Sequence, residues 1–175
     1  MPEPIEITNM KNNRSNREYV LETVKQNGKL LEFADEVFHD DREIVFEAVK
    51  NNPEALEFAS DSLKEDREIV YESVSKIGWT YCYVGPNLLQ DKELLIAGIK
   101  KSGQILYFAS KELRDDKEVV LEAVRQKAII IKYASSRLRN DKEIGLEAMK
   151  QNKKCFEFLS EQLKNDEDIL NLKNS

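Results

Sequence analysis

Apolar residues recur along this chain as pairs set four positions apart. Ile44-Val45 is followed by Ala48-Val49, Ile69-Val70 by Ser73-Val74, Leu94-Leu95 by Gly98-Ile99, and Val119-Val120 by Ala123-Val124. Pairs at that interval lie on one face of an α-helix, so each set predicts a short amphipathic helix, here called helix A. The tripeptides Asn16-Arg17-Glu18, Asp41-Arg42-Glu43, Asp66-Arg67-Glu68, Asp91-Lys92-Glu93, Asp116-Lys117-Glu118 and Asp141-Lys142-Glu143 stand in the same register, 25 residues apart each time. A seventh start follows at Asp166-Glu167-Asp168, and no insertion or deletion breaks the series. With Asp41 as position 1 of its copy, every residue can be given a position from 1 to 25.

The second half of each copy is also patterned. In the second copy Ala55, Leu56, Phe58, Ala59 and Leu63 occupy positions 15, 16, 18, 19 and 23, a spacing that predicts a second helix, helix B. Position 18 is aromatic throughout: Phe33, Phe58, Tyr83, Phe108, Tyr133 and Phe158. Asp40 with Glu43, Asp115 with Glu118 and Asn140 with Glu143 resemble capping boxes and mark the start of helix A. Its end is predicted near Asn27-Gly28, Asn52-Pro53, Ile77-Gly78 and Ser102-Gly103. There Gly would supply a left-handed residue, and Pro would open the next turn.

A hairpin of two short helices cannot bury its apolar face alone, whereas stacked copies share a continuous core. The predicted fold class is therefore all-α: an α-solenoid of six 25-residue helical hairpins plus a partial seventh helix. Residues 1–15 read as a polar N-terminal arm. Residues 16–175 read as a single repeat domain, with copies starting at 16, 41, 66, 91, 116 and 141 and a partial one at 166. The short last helix, 166–173, reads as the altered outer face of a terminal unit, which favours a complete array.

The residues that recur from copy to copy, read on Asp116-Lys117-Glu118, Glu122-Ala123-Val124, Tyr133-Ala134-Ser135 and Leu138, resemble the tandem helical repeats grouped as domain of unknown function 4116. The likeness runs from residue 16 to about 170. It implies a helical-repeat protein with no assigned reaction and offers no catalytic residue to carry over. The third copy departs from the pattern: Ala and Ser give way to Val84 and Gly85, followed by Pro86.

Composition narrows the class of function. Net charge is −6, which argues against nucleic acid and against anionic membrane surfaces, since both need a concentrated basic face. No apolar run approaches the ~20 residues that span a bilayer, and the N-terminus lacks the apolar core of a secretory signal. Cys82 and Cys155 lie three copies apart, too far for a bridge between them, and no metal-ligand spacing surrounds either. A cytoplasmic protein without cofactor is expected. Delivery into a host cell's cytosol is an alternative that composition does not separate from it.

Charged positions recur with the repeat. Position 2 is Arg or Lys in all six copies, and Glu22, Glu47, Glu72, Glu122 and Glu147 share position 7. Such stripes read either as a ladder for an extended partner or as a solvated face of weak helix-surface pairs. His39, the only histidine, reads as an exposed polar position, and the doubled aspartates as helix-start residues rather than a catalytic pair. No nucleophile motif or phosphate loop is present, so an enzyme is not expected.

The segment Lys76–Asn87 carries the single Trp, and register separates its aromatics. Tyr81 and Tyr83 fall at core positions 16 and 18. Trp79 holds position 14, elsewhere Lys29, Glu54, Gln104, Ile129 and Lys154. Cys82 holds position 17, elsewhere Glu32, Glu57, Tyr107, Lys132 and Glu157. Positions 14 and 17 share a helix face, charged in the first two and the sixth copies. In the middle three copies the face holds Trp79, Cys82, Gln104, Tyr107, Ile129 and Lys132, a candidate protein-binding patch. The other reading is that Gly85-Pro86 bends the third copy and tucks Trp79 inward. The expected function is a protein-binding module or scaffold. A self-associating structural protein whose patch pairs with itself, or a delivered effector binding a host protein, is the alternative.

Overall fold

In the computed structural model, which describes residues 4–175, the apolar pairs of helix A form the helices α2 (Arg17–Gln26), α3 (Arg42–Asn51), α4 (Arg67–Val74), α5 (Lys92–Ile99), α6 (Lys117–Gln126) and α7 (Lys142–Gln151). A shorter α1 (Ile5–Asn12) precedes them, and α8 (Glu161–Lys164) and α9 (Glu167–Asn174) follow. The chain is an all-α solenoid divided into two compact units, the first ending at Leu88 and the second running from Leu89 to Ser175. The first unit holds three copies behind α1; the second holds three copies followed by α9. Positions 4, 5, 8 and 9 are buried in α3 (Ile44, Val45, Ala48, Val49) and in α6 (Val119, Val120, Ala123, Val124). Helices of eight to ten residues are marginal on their own in water, so this stacking holds them.

Helix A begins one residue later than the capping-box reading places it. The Asp41 carboxylate accepts the amides of Glu43 and Ile44, and Asp66 does the same for Glu68 and Ile69. The conserved register is thus an N-cap at position 1. Glu43 and its equivalents reach across to the preceding copy. Arg17 Nε lies 2.7 Å from Asp41 and its Nη2 lies 2.7 Å from Glu43. Arg42 grips Asp66 and Glu68 in the same fork. Lys92, Lys117 and Lys142 repeat it in the second unit on Asp116 and Glu118, Asp141 and Glu143, and Asp166 and Asp168. Within each unit, position 2 of one copy therefore closes onto positions 1 and 3 of the next, and these cations are engaged within the stack.

Helix B is not an α-helix. It is a 3-10 segment in each copy: Gly28–Phe33, Pro53–Phe58, Gly78–Tyr83, Gly103–Phe108, Ala128–Tyr133 and Lys153–Phe158. A second short turn follows it, such as Leu63–Glu65 or Leu138–Asn140. Three residues per turn place positions 13, 16 and 19 on one line. That line is buried as Gly28, Leu31 and Ala34, as Gly78, Tyr81 and Val84, and as Gly103, Leu106 and Ala109. The decision is tertiary. Position 19 is extended, as at Ala59 (φ −63°, ψ 151°), and the next amide leaves the hairpin. Ser60 N–H donates to His39 O, Ser135 N–H to Arg114 O, and Ser160 N–H to Arg139 O, each in the preceding copy.

The serine hydroxyl at position 20 completes the joint. It accepts the amide three residues on (Leu63, Leu113, Leu138, Leu163), capping the second turn. It also donates to position 25 of the preceding copy: Ser60 to Asp40, Ser135 to Asp115, and Ser160 to Asn140. In the third copy position 20 is Gly85, and the opposing residue is the longer Glu65. A Cβ on Gly85 would lie 2.4 Å from Glu65 Cδ, and Glu65 Oε1 accepts the Asn87 amide. The carboxylate fills the space left by the missing serine. Gly85-Pro86 introduces no break: Pro86–Gln90 forms the same five-residue turn as Glu36–Asp40 in the first copy.

Glycine acts by close approach. Among the described residues no glycine has a positive φ, contrary to the left-handed C-cap expected from the sequence. A Cβ on Gly28 would meet Ala48 O of α3 at 2.1 Å, so only glycine lets that 3-10 segment reach the next helix. The end of α2 is capped from the same neighbour: Asn51 Nδ2 donates to Lys25 O, and its Oδ1 accepts the Gly28 amide.

The polar arm expected over 1–15 begins with three residues outside the described ones, and from Ile5 it is helix α1 rather than free chain. Met10 is fully buried, Asp35 N–H donates to Arg14 O as in the other joints, and Arg14 pairs with Asp35. The arm thus stands in for the joint half of a preceding copy. His39 is half-buried rather than exposed, with Nε2 3.0 Å from Leu31 O. A carbonyl can only accept, so Nε2 carries the proton.

Two predictions follow from the joints. Gly85→Ser alone should push the Glu65 side chain aside and break its bond to the Asn87 amide, at a cost of about 0.5–1.5 kcal/mol. Glu65→Asp with Gly85→Ser recreates the Asp40–Ser60 pair and should restore most of the loss in urea unfolding; simple additivity in the double-mutant cycle would refute the substitution. The second concerns acid. At Asp41 the hydrogen bond from Arg17 holds the carboxyl below its usual range. At Asp66, Asp116 and Asp141 desolvation opposes this but is outweighed by the partner cation and the helix amide. Depressed carboxyls stabilise the fold above the unfolded Asp value of about 3.9 and lose that contribution as pH falls through their folded values. Arg42→Gln should therefore flatten the acid limb of stability against pH; an unchanged slope would show that the fork does not set it.

Candidate functional site

In the 3-10 segments residues three apart eclipse one another: position 19 is buried in all six copies, 16 in five and 13 in four, with position 15 buried beside them, whereas position 17 is exposed in all six and position 14 in four. The candidate patch therefore lies on outward positions, and the structure divides it between the two units. Trp79 and Cys82 belong to the first unit. Trp79 is 41% exposed, and Cys82 is exposed as well. Tyr81 is fully buried, as register implies, but Tyr83 is only half-buried and not core. It closes its 3-10 segment at the edge of the stack, where its ring meets Trp79 edge-on at 5.6 Å and its hydroxyl donates to Glu57 at 2.9 Å.

Beneath this surface the third copy carries a buried polar pair where other copies are mostly apolar. Thr80 Oγ1 donates to Ile77 O, and Ser73 Oγ lies 2.7 Å from Thr80 Oγ1 and 2.8 Å from Pro53 O. Every buried hydroxyl thus has a partner, and the pair ties the segment under Trp79 to α4 and to the preceding copy.

The other four patch residues, Gln104, Tyr107, Ile129 and Lys132, come together in the second unit. They line one groove of about 320 Å³ with Phe108, Lys127, Ile130 and Tyr133, between the 3-10 segments of the fourth and fifth copies. Tyr107 is 58% exposed and Phe108 44%, an unusual cost in unburied aromatic surface. Tyr107 packs edge-on against both Phe108 and Tyr133, with ring centroids 5.1 Å apart in each case. Lys132 Nζ lies over the Tyr133 ring at 4.7 Å. Aromatic contacts of this kind are worth about 0.5–1.5 kcal/mol beyond the area they bury, so the cluster is preformed.

Lys127, Phe108, Ile130 and Tyr133 were not singled out by sequence reasoning. The signal was present for Lys127, the only cation at position 12, where other copies have Asn27, Asn52, Ile77, Ser102 and Asn152. Phe108 and Tyr133 were hidden because the constant aromatic at position 18 reads as core. It is in fact half-buried in five copies and exposed in one. A larger recess of about 430 Å³ lies beside α1 and α2, lined by Glu6, Asn9, Tyr19, Thr23, Gln26, Asn27 and Leu30. It is polar, and its Glu6 carboxylate already accepts from Asn27.

Among the described residues no group of three or more His, Cys, Asp or Glu is placed to hold a metal ion, and no helix is long and apolar enough to cross a membrane. Both thiols are free; burial pushes Cys155 up to about 11 and raises Cys82 to a lesser degree, so neither is an activated thiolate.

Desolvation, then the bond to Glu57, pushes the Tyr83 phenol up to about 12. A folded value above the unfolded one of about 10 gives stability that is present below pH 10 and lost as pH rises through the folded value. In an absorbance titration Tyr83 should ionise among the last tyrosines, and Glu57→Gln should lower its midpoint. An unmoved midpoint would discount the bond.

No curated protein and no solved structure matches the chain. The family described as domain of unknown function (DUF4116) matches residues 16–64, 66–114, 116–164 and 141–171. Each of the first three segments spans two of the 25-residue copies, and together the matches take in nearly all the repeats. The chain therefore belongs to the DUF4116 family.

Proposed function

We propose that this protein is a non-enzymatic binding module that recognises another protein through the outward positions of its 3-10 segments. One observation carries the reading. The groove of the second unit holds Tyr107 and Ile129 at positions that are charged in the outer copies, next to the exposed Phe108. Exposed aromatic surface rimmed by polar groups is typical of protein contact sites, and Tyr is enriched among residues that dominate binding energy. The repeat supports the same reading: the fold is held by positions 1–5, 8, 9, 13, 15, 16, 19 and 20, which leaves 14 and 17 free to differ. The ring contacts of Tyr107 with Phe108 and Tyr133 hold the groove in place and lower the ordering cost of binding. The charged stripe at position 2 is not part of the proposal, because those cations already bridge neighbouring copies. A cytoplasmic setting fits the two unpaired thiols, one of them exposed.

A photo-crosslinking residue placed at Tyr107 should yield a discrete adduct in extract of the source cells, with little at the exposed control Arg125 on α6. An adduct of twice the chain's mass would assign the face to self-association instead. Equal labelling at both positions, or none at Tyr107, would refute a binding face there.

A further inference from the structure

Resting on that reading, we infer that the groove of the second unit takes an extended peptide segment that is both apolar and acidic. The first observation is a charge reversal. Position 17 is Glu in the first, second and sixth copies, and Lys132 is the only cation there. Lys127 is the only cation at position 12. Two independent departures from the repeat thus bring two ammonium groups to one groove, in a chain of net charge −6.

The second observation is that these two cations have no carboxylate partner. The position 2 cations fork onto two carboxylates each, whereas among the described residues no carboxylate lies within ion-pair distance of Lys127 or Lys132. No Asp or Glu lines the groove at all. Lys132 instead rests over the Tyr133 ring, which positions its ammonium at the edge of the apolar floor and leaves it available to an incoming anion.

The floor sets the other half of the chemistry. Tyr107, Phe108, Ile129, Ile130 and Tyr133 offer aromatic and branched aliphatic surface, and Gln104 and the tyrosine hydroxyls are the neutral polar groups beside the two lysines. About 320 Å³ is at the small end of ligand-sized sites, room for one or two apolar side chains of an extended strand. Carboxylates one or two residues away would then meet Lys127 and Lys132 at the rim. A second copy of the chain paired symmetrically through this groove would set two lysine-bearing rims face to face, which like-charge repulsion opposes.

Selection from a random-peptide display library against the intact wild-type chain tests this. The expected result is a consensus that combines large apolar residues with Asp or Glu. Its members should bind about tenfold more weakly to Lys132→Glu, lose most binding to Tyr107→Ala, and weaken as salt rises. Unchanged circular-dichroism melting curves would show both variants folded, and Lys127→Glu offers a second charge reversal if Lys132→Glu is not. A consensus that depends on Tyr107 but is neutral or basic, or is indifferent to both lysines, overturns the acidic specificity and leaves the binding face standing. No enrichment, or enrichment indifferent to Tyr107, overturns both. A Tyr107-dependent dimer in light scattering, or tighter binding of a labelled oligothymidylate than of any selected peptide, would give the groove to another occupant and overturn the inference.

Discussion

Each 25-residue copy leaves polar backbone ends that its own residues do not satisfy, and the neighbouring copy satisfies them. The amide at position 20 finds the carbonyl of position 24 in the preceding copy, the hydroxyl beside it finds the side chain of position 25, and the forked cation of position 2 reaches forward to the next helix start. Buried unpaired backbone groups are costly, so stacking can cover the apolar face only because the neighbour also pairs these groups; a copy on its own would leave both to water. The same logic holds for the first copy, whose joint is met by the residues before it: Arg14 supplies the carbonyl and Met10 of α1 is buried.

This joint also governs where the surface can vary. A 3-10 segment presents a strict three-residue period, so the line at 13, 16 and 19 is committed to the core and the line at 14 and 17 is released from it. Substitutions on the released line leave the stack intact. That is why Trp79 and Cys82 in one unit, and Tyr107 and Lys132 in the other, can depart from the repeat without a compensating change of backbone. Gly85 shows the contrasting case. It sits on a joint position, and its departure is matched by the longer Glu65 that fills the same space.

Much of the site was legible as register. Trp79, Cys82, Gln104, Tyr107, Ile129 and Lys132 stood out because their counterparts in other copies are charged, and a repeat provides its own internal comparison. Lys127 was legible in the same way, as the only cation at position 12, but the aromatics at position 18 were not, because a residue type that is constant through the repeat reads as core whether it is half-buried or buried. The inward tilt proposed for Trp79 rested on Gly85-Pro86 acting as a breaker. In the structure Pro86 opens a turn that the first copy makes without proline.

By itself, the sequence determined the repeat, its register, the positions of helix A and the buried pairs, because a 3.6-residue period over ten residues has one reading. It could not distinguish an α-helix from a 3-10 segment over six residues, since positions 15, 16, 18 and 19 satisfy either period. It also could not place the N-cap to within one residue, or show that the charged tripeptides link copies rather than decorate a face. Those choices were decided in three dimensions, because the groups that settle them lie 20 to 26 residues away in the chain, in the adjoining copy. Only stacking brings them within hydrogen-bond distance.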